Sequence, residues 1–243
     1  MAEAASCSAG LLRPARLAGL TGLIARGMRL AARVSGRDRY DDFRLERVAG
    51  TPILVIPSVF NPKVLRTGAF FAAHLDAHSV PPEAQVLDMG TGSGVCALFA
   101  ARHARRVVAV DLNPAACRCA LLNARLNQLE ERLEVRHGDL FAPVAGERFD
   151  LVLFNPPFLR GTPRDERDRA WRSNDVAERF AAGLAAHLTP AGAALVLLSS
   201  FGGAAAFLEE FARRGLAWSV LAERRYINER LAILSVAPVR GAA

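Results

Sequence analysis

One stretch constrains this chain more than any other: the run Phe149–Phe154, followed directly by Asn155-Pro156-Pro157-Phe158. The run is apolar and strand-forming except at Asp150, which indicates a strand buried on both faces of a sheet. The prolines cannot donate backbone hydrogen bonds, so the strand has to end there, and Pro156 keeps Asn155 extended. The chain should therefore place an amide side chain and an aromatic ring at a sheet edge.

A planar NH2 group fits the chemistry of this strand end. The side-chain oxygen of Asn155 and the carbonyl oxygen of Pro156 can accept hydrogen bonds, and the ring of Phe158 offers a flat surface for stacking. A planar NH2 has two donors and two faces, so it can meet all three groups at once. The stretch therefore predicts a site that holds such a nitrogen.

From position 85 onward the chain alternates strand-forming segments, turns and helix-forming segments. The predicted strands are 86–90, 107–111, 133–137, 149–154, 193–200, 217–222 and 231–236. The predicted helices are 95–103, one opened by Pro114, 176–188 and 203–213, with a turn at 189–192. Alternation of this kind predicts an α/β fold with a parallel sheet and right-handed crossovers. Before it we expect a charged connector at 37–50, a strand at 51–56 and a helix ending near position 78.

A glycine-rich turn, Asp88-Met89-Gly90-Thr91-Gly92-Ser93-Gly94, follows the first of these strands and opens a helix. Glycines there let the backbone approach a ligand without a Cβ in the way. A dinucleotide fingerprint requires glycine at 90, 92 and 95, but position 95 is Val95 and the third glycine is Gly94. This spacing makes an NAD-dependent reductase the less favoured alternative.

The compressed glycine turn, with Asp88 two residues before its first glycine, and the Asn155–Phe158 motif together resemble class I S-adenosylmethionine-dependent N-methyltransferases. Within that class the chain is similar to the release-factor glutamine methyltransferase (HemK-like) or "small" methyltransferase group, and the likeness covers roughly positions 55–236. The segment 57–62 resembles the one that borders the cofactor and acceptor pockets in that group. The resemblance implies a Rossmann-like, seven-stranded, mostly parallel sheet with helices on both faces and an antiparallel last strand.

The resemblance also assigns roles to the polar residues at the carboxyl ends of the strands. It implies S-adenosyl-L-methionine as the cofactor, with Asp111 on the ribose hydroxyls, Asp139 on the adenine amino group and the Leu140 backbone on the ring. The expected cofactor-binding residues are Asp88, Gly90, Thr91, Gly92, Gly94, Asp111, Leu112, Asp139, Leu140 and Asn155. The expected catalytic residues are Asn155, Pro156, Pro157 and Phe158.

The expected activity is N-methylation of a planar NH2, either a protein glutamine amide or a nucleobase exocyclic amine. The release-factor enzymes have tyrosine where this chain has Phe158, and the glycine-rich segment expected near 173–175 is altered. Phe158 matches rRNA guanine and tRNA adenine N-methyltransferases at least as well. A small-molecule amine or amide as acceptor, or a non-catalytic cofactor-binding subunit, remains an alternative. The arginine-rich segment 159–175, which includes Trp171, is interpreted as a solvated lid or a phosphate-binding strip.

Composition adds little to these expectations. The formal charge of +7 and the pI of about 10.2 suit an anionic partner, although Lys63 is the only lysine and arginine usage explains part of the excess. Four cysteines, at positions 7, 96, 117 and 119, lack zinc-site spacing, and the five histidines are scattered, so no metal site is expected. Reduced thiols and the lack of a membrane-length apolar run favour the cytoplasm.

The chain is expected to divide into an N-terminal helical extension and connector, 1–50, and a class I methyltransferase domain with a leading hairpin and helix segment, 51–243. Within 1–36 apolar residues recur at helical spacing with arginines on another face. A helix docked on the domain is the favoured interpretation. An RNA-binding or anionic-surface element and a transit peptide are the alternatives.

Overall fold

A computed structural model describes residues 42–63, 66–157, 159–162, 172–200, 202–227 and 229–239. The described chain opens with an antiparallel hairpin of strands β1 (Arg44–Val48) and β2 (Thr51–Val55). The prediction of a connector is therefore wrong for the residues of β1. The charge of Glu46 that favoured a linker is compensated locally, because Asn61 Nδ2 donates to it at 3.0 Å and Lys63 Nζ lies 3.4 Å from it.

Strands and helices then alternate along the chain. They are α1 (Thr67–Ala72), β3 (Gln85–Met89), α2 (Val95–Ala101), β4 (Arg106–Asp111), α3 (Pro114–Leu126), β5 (Leu133–His137), β6 (Phe149–Phe154), β7 (Leu159–Arg160), β8 (Arg172–Ser173), α4 (Val176–Leu184), β9 (Leu188–Ser199), α5 (Ala204–Arg213), β10 (Leu216–Arg225) and β11 (Arg230–Pro238). Short 3₁₀ turns occupy Ala142–Val144 and Ala185–His187. Within the described residues, strands β7 and β8 pair in parallel with each other and with no further strand.

Seven strands form one sheet in the order β10-β11-β9-β6-β3-β4-β5. Strands β9, β6, β3, β4 and β5 are parallel, and β11 is antiparallel to both of its neighbours. This confirms the expected Rossmann-like, mostly parallel sheet with an antiparallel last strand. Because the order reverses direction next to β3, a ligand crevice is expected outside the carboxyl ends of β3 and β6.

Each buried strand serves two hydrophobic cores, one on each face of the sheet. In β6, Leu151 and Leu153 join the core beneath α2 and α3, whereas Val152 and Phe154 join the core beneath α4 and α5. The continuous apolar run in the sequence is what burial on both faces requires. Asp150 is the exception, and its carboxylate accepts from Gln85 N and Thr189 Oγ1, both at 2.9 Å.

Two predicted boundaries are wrong, each because polar side chains redirect the backbone. The helix expected to reach position 78 ends at Ala72, since Asp76 Oδ1 accepts from the backbone of His78 and Ser79 and turns the chain. The turn expected at 189–192 lies inside β9. The register against β6 jumps there, from the Phe149–Leu188 pair to the Leu151–Ala193 pair. Thr189 bonded to Asp150 keeps this irregular stretch on the sheet.

Some expectations fall on residues outside the described ones: the helix within 1–36, Phe158 and Trp171. The division of the chain at position 50 and the cytoplasmic location stay predictions. Within the part of the chain that the structure describes, no helix is long and apolar enough to cross a membrane.

Candidate active site

A cavity of about 780 Å³ opens at the carboxyl edge of the sheet, around the ends of β3, β4, β5 and β6. It brings together eleven of the predicted site residues: Asp88, Gly90, Thr91, Gly92, Asp111, Leu112, Asp139, Leu140, Asn155, Pro156 and Pro157. The glycine turn and the Asn155 motif therefore face one space, although they lie more than 60 residues apart in the sequence.

The glycine turn has left-handed backbone at Gly90, Gly92 and Gly94, and the last two show different reasons for glycine. Gly92 has φ +57°, and a Cβ at this position would meet nothing within 4 Å. Glycine is therefore required by the left-handed backbone conformation, which strains other residues, and not by a lack of space. Gly94 has φ +82° and does not line the cavity, and a Cβ on it would lie 3.0 Å from Ala120 of α3. Gly94 therefore allows α2 and α3 to pack closely behind the turn, and only its neighbours border the space.

Asp88 connects the glycine turn to the start of α2 through hydrogen bonds. Its side chain is 3% exposed, and Oδ2 accepts from Thr91 Oγ1 at 2.6 Å and from the backbone N–H of Ala97 at 3.0 Å. Burial raises the pKa of this carboxyl to about 7, in spite of both hydrogen bonds. Although Asp88 borders the cavity, these hydrogen bonds are within the protein, so Asp88 stabilises the shape of the turn.

Replacing Asp88 with asparagine should change how stability depends on pH. Because folding raises the pKa of Asp88 from 3.8 to about 7, the folded protein holds a proton that the unfolded chain releases between those values. The contribution of Asp88 to the free energy of unfolding therefore falls as pH rises from about 4 to 7. Asparagine keeps an oxygen for Thr91 and Ala97 but does not ionise.

We expect the stability of Asp88→Asn relative to the unsubstituted protein to increase by about 3 kcal/mol from pH 5 to pH 8. Urea denaturation of both proteins at the two pH values measures this difference. A difference that is the same at both pH values would contradict the raised pKa.

Asp111 ends β4 and binds the glycine turn from the other side. Its Oδ2 accepts from Gly92 N and its Oδ1 accepts from Asn113 N, both at 2.8 Å. Burial raises the pKa of Asp111, and these backbone hydrogen bonds oppose the rise. Each carboxylate oxygen keeps a further lone pair, so Asp111 can still accept from a pair of neighbouring hydroxyl groups.

Asp139 faces the cavity next to an arginine that the sequence analysis did not single out. Arg179 of α4 donates from Nη2 to Asp139 Oδ2 at 2.5 Å, and its Nη1 lies 3.8 Å from Asp175. Both partners of the close pair are more than 40% exposed, so the pair is worth little to stability. Its effect is to fix the direction of the Asp139 carboxylate at the rim, beside the Leu140 backbone at φ +46°.

The side-chain oxygen of Asn155 is a hydrogen-bond acceptor that has no donor among the described residues. This atom, Oδ1, is buried and makes no hydrogen bond within the described residues. Pro156 is buried and Pro157 half-buried at the same wall, while Phe158 lies outside the described residues. Leaving a buried acceptor unsatisfied costs about 1–3 kcal/mol, a cost that a donor on a bound ligand would remove.

The segment 57–62 forms another part of the wall. Ser58, Val59, Phe60 and Pro62 line the cavity, so the predicted position of this segment beside the site is confirmed. It is attached to the start of α3, next to Asp111, because Asn113 Nδ2 donates to Ser58 O at 3.0 Å. Asn113 also caps α3 by accepting from Ala115 N at 2.8 Å.

Asn123 of α3 is a buried connector that the sequence analysis missed. Its Oδ1 accepts from Leu54 N at 2.7 Å, and its Nδ2 donates to Leu54 O at 2.6 Å and to Ser93 O at 2.9 Å. One side chain thus ties the β1–β2 hairpin to the glycine turn. An asparagine in a helix gives no local signal of such contacts, because its partners are 69 and 30 residues away.

Replacing Asn123 with alanine should destabilise the fold by about 2–4 kcal/mol, because buried backbone groups of Leu54 and Ser93 would lose their partners. Arg125→Ala, an exposed position on the same helix, is the control and should cost less than about 0.5 kcal/mol. Chemical denaturation of the two variants tests the difference. Equal losses of stability in the two variants would contradict this role of Asn123.

The order of strands, the antiparallel β11 and the glycine turn that follows β3 define the fold of the class I methyltransferases. The chain belongs to the methyltransferase small domain family, whose model matches residues 51–218. Within the described residues no three histidine, cysteine or acidic side chains are placed to hold a metal ion.

Named relatives fall into RNA- and protein-modifying enzymes. The chain is 33% identical over 146 residues to the ribosomal RNA small subunit methyltransferase C of Alcanivorax borkumensis, covering 60% of this chain and 42% of that protein. It is 37% identical over 149 residues to the release factor glutamine methyltransferase of Cereibacter sphaeroides, covering 54% and 52%. The chain thus spans about half the length of these curated relatives.

A solved structure supports the fold. The 16S rRNA N2 G1207 methyltransferase of T. thermophilus, in complex with AdoMet and guanosine, superimposes with a TM-score of 0.59 at 24% identity. The match covers 81% of this chain and 50% of that one. Family membership supports the expected methyltransferase class and its cofactor, while the roles of individual residues rest on the geometry above.

Proposed function

We propose that this chain is an S-adenosylmethionine-dependent N-methyltransferase that acts on a planar NH2 group of RNA or protein. The observation that carries the proposal is the unpartnered, buried Oδ1 of Asn155, a residue that lines the same cavity as Gly92 and Asp111. At one end of the cavity, Gly92 and Asp111 suit a nucleoside. At the other end, the side-chain oxygen of Asn155 has no hydrogen-bond donor among the described residues. A reaction between a nucleoside cofactor and an N–H acceptor uses both ends.

The residues present fit the cofactor. Asp111 keeps lone pairs for ribose hydroxyls, and the open space above Gly92 admits a ligand against the backbone. Asp139, directed by Arg179, can accept from an adenine amino group beside the Leu140 backbone. A volume of about 780 Å³ accommodates a nucleoside-sized molecule together with a planar acceptor group.

When bound, S-adenosylmethionine supplies a methyl group activated by a sulfonium. The protein contributes orientation and hydrogen bonding. Asn155 Oδ1 and the Pro156 carbonyl accept the two N–H groups of the acceptor and turn its nitrogen into a fixed direction. These bonds also strengthen as the nitrogen gains positive charge, so they favour the transition state over the ground state.

No strong base is needed at this site. No histidine lies among the described residues that border the cavity. The acidic side chains there are engaged: Asp88 and Asp111 with the glycine turn, and Asp139 and Asp175 with Arg179. A methylated, positively charged nitrogen loses its proton readily, so hydrogen-bond acceptors suffice.

The named relatives act on ribosomal RNA or on a release factor, and both present a planar NH2. We propose a macromolecular acceptor of one of these kinds. A non-catalytic cofactor-binding subunit is less well supported, since it would have no use for an unpaired acceptor on Asn155.

The test is transfer of label from methyl-labelled S-adenosylmethionine to separated acceptor fractions. Protein-free total RNA, RNA-free total protein and a small-molecule extract are each incubated with the protein. We expect label in RNA or in protein. Labelled small molecules alone would contradict the macromolecular acceptor, and the absence of label from all three would contradict the activity.

A further inference from the structure

We propose that the cavity is flanked by a surface that binds single-stranded RNA. It consists of Arg66, Arg224, Tyr226 and Ile227 and is called the hairpin-tip surface below. The inference rests on the proposed function, because it selects RNA over protein as the acceptor.

The tip of the β10–β11 hairpin lies at the edge where the cavity opens. Strand β11 runs against the parallel strands, so its first residues lie near their carboxyl ends. Leu231 pairs with Ser199, the last residue of β9, and Arg230 pairs with Arg225 across the hairpin. The turn between β10 and β11 therefore extends past the carboxyl edge of the sheet. It lies two strand spacings (roughly 10 Å) from β6, whose last residue directly precedes Asn155.

Side-chain contacts join this tip to the wall of the cavity. The Arg66 guanidinium carbon lies 5.3 Å from the centre of the Tyr226 ring. Arg66 directly precedes α1, whose Gly68 lines the cavity. From the other side, the Arg224 guanidinium carbon lies 5.5 Å from the centre of the Phe70 ring, also on α1. The two contacts therefore join the β10–β11 hairpin to α1 and its preceding residue, beside the cavity.

The charge at this surface is positive and partly uncompensated. Arg66 and Arg224 are exposed, and no described carboxylate lies within 4.0 Å of either guanidinium. The neighbouring Arg225 pairs with Glu223 at 2.6 Å. The surface therefore keeps free guanidinium donors.

The chemistry of these groups matches a nucleotide chain. A guanidinium presents a planar fork of donors that suits phosphate oxygens, and its flat faces stack on rings. Ile227 is fully exposed at the tip and offers apolar contact to an unstacked base. An RNA base delivered into the cavity always carries flanking phosphates, whereas a glutamine side chain on a protein carries no regular anion beside it. The formal charge of +7 agrees with an anionic acceptor.

Binding of a fluorescein-labelled, unstructured single-stranded RNA, followed by anisotropy at several salt concentrations, tests this surface. The RNA affinity of the double variant Arg66→Gln, Arg224→Gln should be lower by a factor of about 10 or more at low salt. The slope of log affinity against log salt should decrease in magnitude by about 1.4, or 0.7 for each lost phosphate contact. Glutamine is chosen because it keeps a long polar stem at Arg66, where φ is +62°.

The matched control is Arg105→Gln, Arg132→Gln, which removes two exposed arginines at the opposite, amino-terminal edge of β4 and β5. It should leave affinity and slope within experimental error. Thermal melting shows that all three proteins are folded at the temperature of the measurement.

The outcomes separate this inference from the proposed function. Equal RNA binding by the double variant and the unsubstituted protein overturns the surface, while label transfer can still support the methyltransferase. Labelling of protein without RNA binding also overturns the surface and leaves the activity intact. Loss of RNA binding in the double variant, with no label in any fraction, supports the surface and contradicts the activity.

Discussion

Replacing Asn155 with alanine is expected to lower kcat about 100- to 1000-fold and to leave the dissociation constant of S-adenosylmethionine within about twofold. The reason is that Oδ1 of Asn155 is buried and unpartnered among the described residues, so its hydrogen bond forms only with an acceptor substrate. The alanine variant loses a bond that strengthens in the transition state and keeps Asp111 and the glycine turn.

The measurement pairs calorimetric titration of the cofactor with label transfer into whichever fraction the unsubstituted protein labels. Asn155→Asp is the matched variant, because it keeps an oxygen acceptor of similar size at the same place. It should retain more activity than the alanine variant. Parallel loss of cofactor affinity and turnover in Asn155→Ala would place Asn155 in the cofactor site and remove it from the acceptor site.

Replacing Asp111 with alanine is expected to weaken S-adenosylmethionine about 100-fold or more, since hydrogen bonds to a charged group contribute about 1.5–3 kcal/mol each. The variant also frees Gly92 N and Asn113 N, which Asp111 now holds at 2.8 Å. Because burial raises the pKa of Asp111, removing its carboxylate also removes a desolvation cost. The variant should therefore fold.

Calorimetric titration measures the affinity, and Glu131→Ala is the charge-matched control. Glu131 is exposed just before β5, at the sheet edge opposite the cavity, and its removal should change the affinity less than about twofold. Unchanged affinity in a folded Asp111→Ala variant would remove Asp111 from the cofactor site.

Much of the fold could be predicted from local sequence pattern. The run 149–154 appears as β6, and Pro114 opens α3 behind the capping residue Asn113. These predictions succeed because a continuous apolar run and a proline at the first helical position act through neighbouring residues. The predicted end of α1 failed because the side chain of Asp76 makes a competing turn, and hydropathy does not detect it.

The site was predicted less completely than the fold. Parallel strands place their carboxyl ends together, so Asp111, Asp139 and Asn155 could be expected at one edge from their positions after strands. The contacts of Asn123 with Leu54 and of Arg179 with Asp139 could not, since they join residues 69 and 40 positions apart. No short-range sequence pattern predicts which distant residue a side chain on a helix will contact.

The sequence by itself determined the order of strands and helices, the left-handed glycine turn and the amide at the end of β6. Each of these depends on backbone sterics and on the spacing of apolar residues along a few turns or strands. Only the tertiary structure decided that Asn155 Oδ1 has no protein partner among the described residues, that Arg66 lies over Tyr226 and that Arg224 lies over Phe70. Those properties follow from packing distant segments together, because a hydrogen bond or a ring contact requires an approach of a few ångströms that only the folded chain provides.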